Sequence, residues 1–480
     1  MSILKHNIKR MILCFIVLTA IASPAQSRET VVLKLDDAIL KALNNNSQTK
    51  IAKMELTKAN AAVKEAFGYA LPTVDFSASL SHFLSVPKMP FPDFEAMLNN
   101  YTYKVLVDEA LISEGDAKYR DMSNSLQSFT LKNNYEAKLQ VTQILFNSAV
   151  FRGIGASEIY RQAAEVNLQN TAAKTILDVQ KAFYGILLAK EMNLIAQSSF
   201  ENIENHVKSA QAMFQQGLAS EYNVMQAEVQ LENFRPMVIA SENALKNAKE
   251  GLRIVLGIGD DVDIDVVGNL EVIDDIGNDL PNLIEKARKN NLDVKGLSKK
   301  ADVDEAFIDL DVSEYWPSLV AFGNVSLNGA SDDFNFLHYN SSMVGVSLSI
   351  NLFNGNRTRQ KVEQSTVSML QTREQVNNLK DFVAMRMKDK FNELEQVRST
   401  LSSQERNVDL AQKSYSIAEV RFKEGTGTQL ELLSAELQLR QARANRLQSV
   451  YAFINAKADI ENLTGKLSEE YINLIMNNNK

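Results

Sequence analysis

The chain of 480 residues contains a single cysteine, Cys14. It lies in an apolar run, residues 11–22, between a basic N-terminus and the small-residue segment 23–25. This pattern predicts a secretory signal peptide over residues 1–25 with cleavage after Ala25, because the apolar run is too short to span a bilayer. The mature chain should therefore lack disulfides, thiolate metal sites and a cysteine nucleophile.

Catalytic and metal-binding patterns are also missing. The chain has four scattered histidines: His6, His82, His206 and His338. No nucleophile, base and acid stand together in the sequence. We therefore predict no catalytic residues, no metal site and no cofactor. Residues 261–265 carry three alternating aspartates, as a calcium loop does. Val266 and Val272 replace the glycine and glutamate that such a loop requires. The sequence thus predicts that the protein is not an enzyme.

A positive charge excess and a long hydrophobic run are absent too. The formal net charge of −8 offers no support for nucleic-acid binding. A hydrophobic content of 45% excludes a polytopic helical membrane protein. An exported, acidic chain without cysteine is typical of a bacterial envelope.

Glycine and proline are absent from residues 357–424. Apolar residues recur there at steps of three, four and seven, which is coiled-coil spacing. At 1.5 Å per residue this segment predicts a helix about 100 Å long. A matching stretch, residues 156–216, is interrupted only by Gly185. Shorter helical patterns complete a mostly α fold in which pairs of short helices lie beside unbroken ones: 36–70, 220–256, 281–314 and 428–464.

The helical segments belong to an internal duplication. FQQGLASEYNVMQAEVQLENFR at 214–235 matches FKEGTGTQLELLSAELQLRQAR at 422–443, at an offset of 208 residues. The offset is 245 near Pro72 and 207 near Leu145, so the first copy carries a 38-residue insertion with three prolines. We predict a first repeat over 28–256 containing a long exposed loop (84–134), an acidic connector (257–279), a second repeat (280–466) and a C-terminal tail (467–480).

Four segments alternate with a period of two and predict strands near 72–83, 136–146, 317–327 and 342–353. In the last, valines, leucines and an isoleucine occupy one face while small polar residues occupy the other. Each is about long enough to cross a bilayer as a tilted strand. The alternative is a small soluble sheet packed against helices.

Four strands cannot close a barrel, and open edges in hydrocarbon leave backbone groups unsatisfied. If these strands span a membrane, the chain must oligomerise. A homotrimer would supply a 12-stranded β-barrel and would wrap the long helices into a coiled-coil tube.

The order of elements, together with RFKEGTGTQLELLSAELQL at 421–439, resembles the TolC-like outer-membrane factor family, the outer membrane efflux proteins. The resemblance covers nearly the whole mature chain. It implies a trimeric channel-tunnel in the outer membrane, extending into the periplasm. Its partners would be outer-membrane lipid, a periplasmic adaptor and an inner-membrane efflux pump or ABC exporter, in tripartite efflux or type I secretion. The alternative is a periplasmic coiled-coil scaffold or adhesion protein without a pore.

The resemblance makes the two helical hairpin tips candidate contacts for the adaptor and pump. Glycine readily takes the left-handed conformation of a sharp helix stop, and Ser220 and Thr428 can cap the returning helices. Two ordinary helical hairpins would carry the same residues. The candidate contacts are Gly217, Leu218, Ala219, Gly425, Thr426 and Gly427.

Glu431, Ser434 and Phe422 are candidate residues of a lumen constriction. Glu431 matches a family position whose acidic residue forms a ring of carboxylates, which would attract cations. Thr428-x-x-Glu431 is equally a capping box, in which Glu431 bonds back to the turn. Ser434 replaces a second expected acidic residue, and Phe422 replaces a tyrosine.

Overall fold

The computed structural model describes residues 29–467, 469 and 471. The predicted signal peptide and most of the predicted tail therefore lie outside the described residues. The helices are α1 Leu35–Asn45, α2 Ser47–Gly68, α3 Phe94–Asp108, α4 Ser148–Gln215, α5 Glu221–Leu256, α6 Leu280–Asn290, α7 Leu292–Val312, α8 Arg357–Lys423 and α9 Gln429–Leu463. The strands are β1 Glu29–Leu33, β2 Thr73–His82, β3 Met89–Pro92, β4 Asn124–Gln127, β5 Asn133–Asn147, β6 Val262–Val266, β7 Ser318–Ser331 and β8 Leu337–Ser349.

The prediction of a mostly α fold with two very long helices is confirmed. Within the described ranges, no helix combines the length and the apolar character needed to cross a membrane. The chain divides into two compact units, and neither coincides with a sequence repeat. The sheet unit contains Ala62–Ser157 and Ala306–Ser365, and the helical unit contains the described residues of the rest. Each repeat thus contributes segments to both units.

The sheet unit is built on four antiparallel strands in the order β2-β5-β7-β8. The predicted strand near 342–353 in fact begins at Leu337 and ends at Ser349, although the alternation continues to Leu352. Ser349 pairs with Ser318, the first residue of β7. The residue before it is Pro317, which has no N–H to donate to a ladder. At the other end β5 and β7 extend beyond their predicted limits, because backbone pairing continues there through Asn, Gly and Ser residues.

The predicted loop 84–134 has secondary structure of its own, so the expectation of a plain loop is wrong. Strands β3 and β4 pair antiparallel, and α3 follows β3. The Asp93 side chain caps this helix by accepting from the backbone N–H groups of Glu95 and Ala96 at 3.0 and 3.1 Å. The prolines that suggested a loop all precede the helix, and Pro90 and Pro92 lie in β3.

In the helical unit, each predicted short helix before a proline is two helices. Asn46 separates α1 from α2, and Asn291 separates α6 from α7. In both, the side-chain oxygen accepts from backbone N–H groups of the following helix. The Asn46 side-chain amide donates to the Val255 carbonyl oxygen in α5 at 2.9 Å. In the second repeat, the Asn291 amide donates to the Leu463 carbonyl oxygen in α9 at 3.3 Å. The duplication seen in the sequence is thus repeated in the contacts.

The predicted acidic connector also contains regular structure, since β6 pairs in parallel with β1. Asp265 on β6 has ion pairs with Lys190 at 2.7 Å and Lys249 at 3.3 Å, so the acidic run is anchored to α4 and α5. The start of the predicted tail is not free either: Leu467 is buried in the same apolar cluster as Leu33.

Candidate functional site

The second hairpin tip is a tight turn between α8 and α9. Gly425 has a φ of +74°, and the Thr426 N–H donates to the Arg421 carbonyl oxygen at 2.9 Å. This bond reaches back over the helix end, as in a glycine-terminated helix. A Cβ added at Gly427 would lie 3.0 Å from Cβ of Arg421. The sequence Gly-Thr-Gly therefore suits the close return of the chain.

The first tip, between α4 and α5, has the same construction. Gly217 has a φ of +73°, and the Leu218 N–H donates to the Met213 carbonyl oxygen at 2.9 Å. Leu218 is 75% exposed, although it is a leucine at the apex of a turn. Four of the six predicted contact residues are exposed, and Ala219 and Gly427 are half-buried. Both tips thus present backbone to solvent, and the first adds the apolar side chain of Leu218.

Glu431 completes a capping box at the start of α9. Its backbone N–H donates to Thr428 Oγ1 at 3.3 Å, while the Thr428 N–H donates to Glu431 Oε2 at 3.2 Å. Arg421 Nη1 lies 3.9 Å from the same carboxylate oxygen. The side chain of Glu431 is still half-exposed, so capping leaves its charge in contact with solvent. Glu431 therefore caps α9, and its carboxylate is still partly exposed to solvent.

The three candidate constriction residues do not all come together. Glu431 and Ser434 line one open groove with Arg421, between α8 and α9. Phe422 is absent from that lining and is buried, 8% exposed. Its position on the apolar face of the hairpin makes it a packing residue of the tip.

A buried charged pair near the tips escaped the sequence analysis. Glu436 is 3% exposed, and Arg440 Nη1 lies 3.6 Å from its Oε1. The Arg440 guanidinium also stacks over the Phe234 ring, 4.5 Å from its centroid. Burial raises the pKa of the Glu436 carboxyl, and Arg440 opposes that shift. The signal was available, since Glu436 falls on the buried face that Leu432 and Leu439 share.

The four-stranded sheet has one apolar and one polar face. Val74, Phe76 and Leu80 of β2 share the apolar face with Val344, Val346 and Leu348 of β8, and all six are more than half-exposed. The opposite face carries the charged side chains of this sheet: Asp75, Glu136 and Lys138. Apolar side chains on one side and polar ones on the other are the pattern of strands between lipid and a wet lumen.

The sheet also ends in two unpaired edges. Among the described residues, β2 pairs only with β5, and β8 pairs only with β7. Neither is blunted by a charged residue on the apolar face, the usual protection of an edge strand. In the part of the chain that the structure describes, no group of histidine, cysteine and acidic residues is arranged to hold a metal ion.

The chain belongs to the outer membrane efflux protein family, whose sequence model matches residues 90–258 and 283–466. Outer membrane protein TolC of Escherichia coli strain K12 is 22% identical over 377 residues, 75% of this chain and 74% of that protein. The alkaline protease secretion protein AprF of Pseudomonas aeruginosa is 19% identical over 350 residues, 72% of this chain and 73% of that protein.

Solved structures share the fold. The Campylobacter jejuni CmeC outer membrane channel superimposes with a TM-score of 0.69 at 17% identity, covering 92% of this chain and 89% of that one. The open state of the Neisseria gonorrhoeae MtrE outer membrane channel gives 0.65 at 14% identity, covering 90% and 88%.

The family and the fold together confirm the resemblance noted in the sequence. The protein is an outer-membrane channel component of an export system, located in the outer membrane, and it is not an enzyme. It works with protein partners, as the family does. The alternative of a scaffold without a pore is thereby set aside.

Proposed function

We propose that three copies of this chain close a 12-stranded barrel through the edges of their sheets, β8 of one copy pairing with β2 of the next. The observation that carries this proposal is the pair of unpaired edge strands on a sheet with a lipid-type apolar face. In hydrocarbon each unpaired backbone group costs several kcal/mol, so such edges must be closed.

Strand direction and number favour a trimer. β2 and β8 run in opposite directions, so joining them continues the antiparallel order around a ring. Two copies would also give a closed ring, but about eight strands enclose only enough space for side chains to fill. Twelve strands leave a lumen, which Asp75, Glu136 and Lys138 would line.

The hairpin tips are the proposed contact with a periplasmic adaptor and an inner-membrane efflux pump or ABC exporter. Support comes from Leu218, exposed at the apex of the first tip, and from the compact Gly425–Thr426–Gly427 turn. In a trimer the Glu431 carboxylates would be repeated three times, and their remaining exposure supports a cation-attracting ring at the constriction. Ser434, in the same groove, adds only a hydroxyl.

Adjacent residues of β8 provide the test. Val346 lies on the apolar face and Ser347 on the polar face. A lysine at the lipid face of a barrel costs about 2–4 kcal/mol near the bilayer midplane. Val346→Lys should therefore reduce the yield of trimers extracted from outer membranes, whereas Ser347→Lys should assemble and shift ion selectivity towards anions in a planar bilayer.

The unaltered protein should be a trimer by light scattering in detergent and should conduct ions. A detergent-extracted monomer would exclude the proposed closure. Equal effects of the two lysine substitutions would contradict the assignment of the two faces.

A further inference from the structure

The insertion between β2 and β5 exposes an apolar stripe along α3. Its members recur at steps of three and four, and their exposure ranges from 40% to 66%: Phe94, Met97, Leu98, Tyr101 and Val105. This spacing places all five on one side of the helix. The channel described above does not account for this surface, which has the width of a helix face that packs on protein.

The opposite side of α3 is fastened to the insertion itself. Ala96 is buried, and the Asn99 side-chain amide donates to the Lys118 carbonyl oxygen at 2.8 Å. The Asn100 side chain donates to the Arg120 carbonyl oxygen at 2.8 Å and accepts from the Arg120 backbone N–H at 2.6 Å. These contacts fix the rotation of the helix, so the stripe cannot turn inward to bury itself.

The place of the insertion in the sheet identifies what lies next to the stripe. The insertion follows β2, which is one of the two edge strands. It therefore begins at the C-terminal end of β2, and this end lies in the same row of the sheet as the start of β8. Leu80, Tyr135, Gly329 and His338 form that row across the four strands. When β8 of one copy pairs with β2 of the next, the β7–β8 loop of the first copy therefore stands beside the insertion of the second.

That loop and the first residue of β8, Leu337, carry matching apolar groups. Phe334 is 64% exposed and Leu337 is 74% exposed. Phe334 has a φ of +65°, a conformation that costs a residue with a Cβ about 1–2 kcal/mol. Its ring lies edge-on to the Phe336 ring, with 6.2 Å between the ring centroids. Strain that displays an aromatic ring to solvent is typical of a contact residue.

We propose that the α3 stripe of one copy packs on Phe334 and Leu337 of the next copy and clasps the subunits together at the end of the barrel away from the helices. The clasp rests on the proposed closure between β8 and β2. Lys104 flanks the stripe and would face Asp332 and Asp333 of the loop, whose carboxylates also accept the backbone N–H groups of Lys132 and Asn335. None of these three has an ion pair among the described residues.

A lipid surface is the competing occupant, and the charges of the insertion disfavour it. Helices that lie on membranes carry many lysines and arginines on their polar side. The insertion has five basic and seven acidic residues. Two of the acidic residues, Asp108 and Glu109, stand at the C-terminal end of α3 itself.

Cysteine crosslinking in a Cys14→Ser background tests the clasp. Leu98→Cys combined with Leu337→Cys should give covalent dimers and trimers with a short bismaleimide in outer-membrane vesicles. The matched control combines Leu126→Cys with Leu337→Cys, because Leu126 is equally apolar, 67% exposed and in the same insertion, but lies on β4. The control pair should give no crosslinked product.

Further arms separate failure of the clasp from failure of the barrel. Cysteines placed in the middle of β2 and of β8 report the edge pairing alone. If they crosslink while the pair at 98 and 337 does not, the clasp is wrong and the barrel stands. Crosslinking by Leu98→Cys alone would mean that the helices meet each other on the trimer axis, and would overturn the clasp.

Stability adds a second measurement. Leu98→Glu should lower the temperature at which detergent-extracted trimers dissociate, and Leu126→Glu should leave it unchanged. Loss of membrane retention by Leu98→Glu, with the trimer dissociation temperature unchanged, would assign the stripe to lipid and refute the proposal.

Discussion

Gly257 and Gly217 offer a test of how the helical unit is held together, because both have a positive φ and only one is crowded. The φ angles are +65° and +73°. A Cβ at Gly217 would meet nothing within 4 Å, whereas a Cβ at Gly257 would lie 2.5 Å from the backbone oxygen of Asn45 and 2.8 Å from its carbonyl carbon. Gly257→Ala and Gly217→Ala therefore share the dihedral cost and differ in packing.

The shared cost is about 1–2 kcal/mol for a left-handed alanine, offset by about 0.4–1 kcal/mol from the stiffer unfolded chain. Gly217→Ala should therefore cost about 1 kcal/mol. At Gly257 the obstructing atoms are backbone and cannot rotate away, so α1 and α5 must separate. Overpacking adds about 1–3 kcal/mol. Loss of the 2.9 Å bond from Asn46 to Val255 adds about 1 kcal/mol. We expect a total of about 3–5 kcal/mol.

Hydrogen exchange of peptides from α1 and from the end of α5 measures the free energy of local opening, which the substitution should lower. Gly257→Ala should speed exchange there by about a hundredfold or more, since each 1.4 kcal/mol is a factor of ten. Gly217→Ala should change exchange only at its own tip, by less than about tenfold. Equal effects of the two substitutions would show that the contact with Asn45 is relieved at little cost, and would refute the reasoning.

Three further outcomes are expected. Glu431→Gln keeps a capping side chain but removes the charge, so it should reduce cation preference in bilayers. Thr428→Val keeps the charge but should destabilise the tip by about 1 kcal/mol in hydrogen exchange; the reverse pattern would assign Glu431 to capping alone. Burial raises the pKa of Glu436, so the folded state binds its proton more tightly than the unfolded state, and stability should fall as pH rises above the ordinary glutamate range. Glu436→Gln should flatten that dependence in melts from about pH 5 to about pH 8, and an unchanged slope would contradict the assignment. Asn46→Ala removes two accepted bonds and one donated bond and should cost about 2–3 kcal/mol in urea unfolding. Asn46→Asp, which keeps the acceptors, should cost less.

Much of the architecture was predictable because it depends on neighbours along the chain. The long helices follow from the spacing of apolar residues and from the absence of glycine and proline over 357–424. The tips follow from Gly217 and Gly425, where a left-handed residue ends a helix. The alternation of apolar and polar residues predicted the four strands of the sheet. The observed strand ends differ from the predicted ones where backbone pairing with the neighbouring strand stops earlier or continues further.

Other features depended on contacts that no local pattern encodes. The insertion was expected to be a loop because of its prolines, yet Asp93 starts a helix directly after them. The acidic run near Asp265 was expected to be a connector, yet it forms a strand beside β1. Phe422 was a candidate at the lumen, and the fold buries it instead.

The sequence by itself therefore determined the duplication, the helical hairpins and the two-faced strands, since each rests on periodicity or on matching residues of the chain. The export-channel class followed from the resemblance of these features to the outer membrane efflux proteins. Only the tertiary structure decided that Asn46 and Asn291 bond to residues 209 and 172 positions away, that Glu436 is buried beside Arg440, and that β2 and β8 are the free edges among the described strands. These depend on which distant segments meet. Hydrogen bonds, burial and unpaired edges exist only once the chain has brought those segments together.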